Sequence, residues 1–117
     1  MDDIKLIDFK TVRLDSKVAP DIGESLQLKA ESRVSANTSE DMKGYVCIYL
    51  SIKIHDDGDK FFVFDITTQS VIELPEGTEP DEELYSQCVV PAQERTFKAV
   101  REISAAMGIN PIDLAKT

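Results

Sequence analysis

One stretch near the middle of the chain constrains the fold more than any other. From Tyr45 to His55 the sequence alternates without a break. Val46, Ile48, Leu50, Ile52 and Ile54 share one parity, and Tyr45, Cys47, Tyr49, Ser51 and Lys53 share the other. Successive side chains of a strand point to opposite faces, so an apolar row at period two predicts a strand with one buried face. A sheet face this apolar has to be covered, and a helix is the expected cover.

The residues on either side extend this into a hairpin. Asp56-Asp57-Gly58-Asp59 is a turn signal, with Gly58 free to adopt positive φ. A calcium loop would need alternating oxygen ligands over about twelve residues and a closing glutamate, which this turn lacks. Lys60–Leu74 then returns antiparallel, with Phe62, Phe64, Ile66, Ile72 and Leu74 on the core parity and a bulge expected within Thr67–Ser70.

Two more strands are expected upstream. Lys5–Leu14 reads as one, with Ile7, Phe9 and Thr11 facing one way and Leu6, Asp8 and Lys10 the other. Leu26–Ser35 alternates cleanly and reads as half-buried, with Leu26, Leu28, Ala30, Ser32 and Val34 on one face. Between them Asp15–Ser25, with Pro20 and Gly23, reads as a loop too long for a tight hairpin, one that carries the chain across the sheet.

Downstream, Pro75–Pro80 ends the sheet, and Asp81–Val90 reads as a short helix with an acidic first turn. Pro91 either opens a second helix or kinks a continuous one. Over Ala92–Met107 the residues Phe97, Val100, Ile103 and Met107 form one apolar stripe, and Gly108 suits the helix end. The expectation is a single α+β domain over residues 1–117, a four-stranded antiparallel sheet with the C-terminal helix packed on one face.

Charge narrows the partners. With 22 acidic and 13 basic residues the net charge is -9, which disfavours nucleic acid and anionic membrane surfaces. No apolar run approaches membrane-spanning length, and the acidic opening Met1-Asp2-Asp3 is unlike a secretory leader, so a cytoplasmic location is expected. Cys47 and Cys88 form no CxxC pair and lie in apolar runs, as buried reduced thiols do. With a single histidine, His55, beside the turn, neither a structural zinc site nor a nucleophile–base pair is expected. His55 reads as a solvated turn residue, and the runs Asp56-Asp57 and Asp81-Glu82-Glu83 as solvated loop and helix start. No P-loop, dinucleotide fingerprint or nucleophile elbow is present. No enzymatic activity and no cofactor are expected.

What remains is surface. Tyr45 and Tyr49 stand in line on the outer face of their strand, either packing across strands or forming an interface. The loop and the strand it enters carry Val18, Ile22 and Leu26, and the tail carries Ile109, Ile112 and Leu114. These residues either line a groove for an extended peptide or dock on the domain's own core.

Order and local pattern also suggest a family. The opening KLIDFKTVRLDS and the stretch from Cys88 to Leu114, CVVPAQERTFKAVREISAAMGINPIDL, resemble the SecB-type chaperones across nearly the whole chain, by pattern rather than by one specific motif. The resemblance implies a crossover loop between the first two strands and a dimer or tetramer with helices between sheets. It also implies ATP-independent holding of unfolded or newly made polypeptides, in protein export or client protection. Two features depart from the family. Val90-Pro91-Ala92-Gln93-Glu94-Arg95 replaces its aromatic-rich helix entry, and the chain reaches Thr117 without the second helix and acidic tail that serve the export motor. The competing expectation is an adaptor or structural subunit for one specific partner, phage or toxin–antitoxin related.

Overall fold

The computed structural model describes residues 4–19, 27–37, 44–78, 81–109, 112 and 114. Four strands, β1 (Lys5–Val18), β2 (Leu28–Asn37), β3 (Tyr45–Asp56) and β4 (Phe62–Glu73), precede one helix, α1 (Glu82–Ala106). Neighbouring strands pair antiparallel in the order β1-β4-β3-β2. β1 and β2 therefore occupy opposite edges. β1 ends opposite Phe62 and β2 begins opposite Asp56, so the end of one and the start of the other both lie at the hairpin end of the sheet; the expected crossover between them lies outside the described residues.

The central hairpin has the register that its alternation demands. It pairs Tyr45 with Glu73 and His55 with Val63 without a shift. Val46, Ile48, Leu50, Ile52 and Ile54 are buried under α1 together with Phe62, Phe64, Ile66, Ile72 and Leu74. The bulge expected within Thr67–Ser70 is not there, because Thr68 and Ser70 simply continue the buried row. Thr96 gives its hydroxyl proton to the Ala92 carbonyl at 2.7 Å, so the Thr68 hydroxyl donates to the Thr96 oxygen at 2.8 Å. A buried hydroxyl with a partner is tolerated in a core row.

The bulges lie in β1 instead. Its register slips between Leu6 and Asp8 and again between Thr11 and Arg13, leaving Ile7 and Val12 as extra residues. Each extra residue reverses the parity that follows. The expected grouping of Ile7 with Phe9 and Thr11 therefore fails. Leu6, Phe9, Thr11, Leu14, Ser16 and Val18 lie opposite the buried row of β4, and the Arg95 guanidinium stacks on the Phe9 ring, 4.4 Å from its centroid. β1 also continues to Val18, so Asp15–Val18 is strand where a loop was expected.

β2 starts two residues later than its pattern suggests, and it is not half-buried: every residue from Leu28 to Asn37 is exposed. α1 runs unbroken through Pro91, so there is no separate short helix. Both halves are held to the sheet, the first by Leu84, Cys88 and Ala92 and the second by Val100. That packing offsets the hydrogen bond which proline cannot make. Asp81 caps the helix by accepting from the Leu84 N–H at 2.8 Å, and Gly108, at φ 82°, ends it.

The acidic turn differs from a solvated one. Asp56 is buried, and its carboxylate accepts from the backbone N–H groups of Lys60, Phe61 and Phe62 at 3.1, 3.0 and 2.8 Å. Burial alone would raise this carboxyl, but the three donors outweigh it and hold it below its ordinary range. The 3₁₀ turn Asp57–Asp59 then closes with Gly58 at φ 78°.

His55 is also a corrected expectation, since it is held rather than solvated. Its Nε2 donates to Glu31 of β2 at 2.9 Å, and its Nδ1 meets Asp59 at 2.7 Å and the Asp56 carbonyl at 3.1 Å. Carboxylates only accept, so this arrangement favours the doubly protonated ring. Burial opposes that charge, yet the bonds to Glu31, the Asp56 carbonyl and Asp59 raise the imidazole above its ordinary 6.5. A raised histidine contributes stability that is fully present below 6.5 and is lost as pH rises through its folded value. The melting temperature should therefore decline from neutral to mildly alkaline pH, and His55→Gln should flatten that slope. An unchanged slope in the variant would place the pH dependence elsewhere.

Candidate polypeptide-binding trough

A single helix cannot cover this sheet. Strands stand about 4.8 Å apart and a helix with its side chains is about 10–12 Å across. α1 therefore shields the central β3 and β4, reaches β1 only through contacts such as Arg95 on Phe9, and among the described residues leaves β2 exposed on its own side. On β2 the residues facing that side are Leu28, Ala30, Ser32, Val34 and Ala36, opposite Asp56, Ile54, Ile52, Leu50 and Ile48. Leu28 is 46% exposed and Val34 47%. This row lacks charge, while Lys29, Glu31 and Arg33 occupy the other face.

Between β2 and α1 lies a cavity of about 150 Å³. Leu50 and Ile52 form its floor, Ala30 and Ser32 one side, and Phe97 and Leu114 the other. The floor belongs to the apolar cluster at the hairpin end, which includes Ile54, Phe62, Phe64, Ile66 and Val100. The result is a trough beside β2 with an apolar base and a rim that also carries Glu31 and Gln93. It can bind an extended apolar segment, and the free edge of β2 offers backbone groups for strand pairing.

The sequence-derived residues divide among three places. Ile109, Ile112 and Leu114 are half-buried and pack on the hairpin-end cluster, and Leu114 reaches the trough itself. Val18 is exposed at the far end of β1, on the helix side but at the opposite edge from the trough. Ile22 and Leu26 lie outside the described residues. Tyr45 and Tyr49 are half-buried on the sheet's other face, where the Gln69 amide donates to the Tyr49 hydroxyl at 3.0 Å. Sequence reasoning missed Leu28, Val34, Ala30 and Phe97 as trough residues. The pattern shows that Leu28 and Val34 face the helix side, but only the strand order reveals that, among the described residues, they lie at an uncovered edge.

No protein-family model matches this chain, and no curated protein matches it. Solved structures do share its fold. A protein of unknown function from Streptococcus agalactiae superposes with a TM-score of 0.52 at 10% identity, over 97% of this chain and 98% of its own. The SecB-like chaperone Rv1957 of Mycobacterium tuberculosis was solved in complex with a ChAD peptide from the Rv1956 HigA1 antitoxin. It superposes with a TM-score of 0.69 at 13% identity, over 95% of this chain and 85% of its own. At such identities the likeness is one of fold, and the fold is that of a SecB-like chaperone: a four-stranded antiparallel sheet with one C-terminal helix packed on it.

Proposed function

We propose that this protein is an ATP-independent chaperone that holds unfolded or newly made polypeptides in the trough between β2 and α1. The observation that carries this reading is the uncharged, uncovered β2 row beside a cavity floored by the core itself. Exposed apolar surface of this kind in a folded domain marks a binding site. That a protein of the same fold holds a peptide supports the reading. Recognition would be by apolar contact and backbone pairing, with no cofactor and no covalent step. Ile22 and Leu26 would extend the contact surface, with Ile109, Ile112 and Leu114 beside it, and Val18 would add a contact at the opposite edge. Among the described residues no helix is long and apolar enough to cross a membrane; a cytoplasmic location is part of the proposal and does not rest on that. A homodimer or tetramer is part of the proposal, with Tyr45 and Tyr49 at a contact between copies. Roles in export or in client protection are both compatible with it.

The second reading is a dedicated adaptor for one partner, favoured by the single antitoxin peptide held by Rv1957. Fluorescence anisotropy with labelled, reduced and alkylated unfolded polypeptides of unrelated sequence separates the two. A holdase binds several of them at micromolar concentration or tighter. Binding to none of them contradicts the holdase reading and leaves the adaptor.

A further inference from the structure

The edge of the sheet opposite the trough carries a second uncharged row, with a polar mismatch inside it. The helix side of β1 is Leu6, Phe9, Thr11, Leu14, Ser16 and Val18. Strict alternation from Lys5 would put Asp8 and Lys10 on that side too. The extra residues at Ile7 and Val12 keep every charge of β1 on the other face. Beyond Phe9 the row is exposed, with Leu14 at 42% and Val18 at 37%. Arg95 of α1 stands over Phe9, yet its Nη1 is buried with no hydrogen-bond partner among the described residues. Ser70, the residue paired with Phe9 on β4, has a buried hydroxyl in the same state. Elsewhere under α1 the buried hydroxyls are matched, Thr68 with Thr96 and Ser104 with the Arg101 carbonyl. A buried donor without an acceptor is costly, and stacking on a phenyl ring offsets only part of that cost. The Arg95 side chain as a whole is half-buried, so it has room to turn outward.

We infer that Arg95 is a carboxylate anchor, and that the helix side of β1 docks an extended polypeptide segment with an aspartate or glutamate among apolar residues. The inference rests on the polypeptide-binding reading and names a class of client for this edge. In the resting chain the guanidinium is parked on Phe9. It turns outward to meet the carboxylate, which accepts two of its N–H groups at once. Uncharged positions lie on both sides of Phe9, Leu6 before it and Thr11 and Leu14 after it. The carboxylate therefore belongs to a side chain within the segment rather than to a chain end. Leu14 and Val18 supply the apolar contact.

The test uses the full chain and two labelled peptides, identical except for a central glutamate or glutamine among leucines and serines, with binding followed by anisotropy. The glutamate peptide should bind the parent about tenfold more tightly, as a hydrogen bond to a charged group implies. Arg95→Met should abolish that preference and leave the melting temperature equal or higher, because it removes an unmatched buried donor and keeps an apolar stem. Equal binding of the two peptides by the parent overturns the anchor, and so does a preference that survives in Arg95→Met. A melting temperature well below the parent's also overturns it, since Arg95 would then be a brace between α1 and β1. If the parent is a dimer and the folded Arg95→Met variant is not, a second copy occupies this edge and the client assignment fails. Binding of unfolded polypeptides with no glutamate preference removes this inference and leaves the β2 trough standing. Failure to bind either peptide or any unfolded polypeptide overturns the chaperone reading itself.

Discussion

Ile48→Asp should unfold the domain. Ile48 is fully buried at the centre of β3, between Ser70 of β4 and Ala36 of β2, and packs in the cluster that holds Val46, Ile72, Leu84, Cys88 and Ala92. The described residues of that cluster are apolar. A carboxylate there would be buried without a partner or would have to take up a proton, and the isoleucine's packing is lost in either case. The combined cost exceeds about 4 kcal/mol, a large part of the 5–15 kcal/mol that holds a domain of this size together. Urea titration followed by circular dichroism would show little or no cooperative transition. A variant that melts like the parent would contradict the face assignment of β3, and with it the position of α1.

Leu28→Asp with Val34→Asp should have the opposite profile. Both side chains are exposed on an edge strand, so stability should move by only about 0.5 kcal/mol per site. Client binding should weaken by about a hundredfold. Each side chain would otherwise contribute about 1 kcal/mol of apolar burial against the client, and each new carboxylate has to be desolvated as well. Loss of folding would mean that these residues belong to a core. Unchanged affinity would move the client site away from β2.

The contrast between these variants reflects what a pattern can and cannot reveal. The buried face of β3 is legible because period-two alternation has one physical meaning, and the acidic turn after it fixes the antiparallel return. The same alternation in β2 reads as half-buried, yet Leu28 and Val34 lie open. Alternation specifies which way side chains point, and only topology decides whether anything stands over them. The bulges at Ile7 and Val12 leave no local signal, because the parity reversal becomes visible only against the pairing strand.

In α1 the expected apolar stripe is Phe97, Val100, Ile103 and Met107, of which Val100 is fully buried and the other three are half-buried. The fully buried seam is Cys88, Ala92, Thr96, Val100 and Ser104. Small and hydroxyl side chains let the helix approach the sheet closely, and they contribute almost nothing to a hydrophobicity pattern. Asp56 and His55 were read as solvated for a related reason. Their partners are backbone N–H groups and residues distant in sequence, such as Glu31, which spacing does not bring together.

The most direct test of the central claim is light scattering during dilution of a chemically unfolded model protein, with and without an excess of this chain and in the absence of nucleotide. The account predicts that scattering is suppressed by the parent and not by the Leu28→Asp, Val34→Asp variant. Aggregation that proceeds equally with and without the parent would contradict a polypeptide-holding role for the trough.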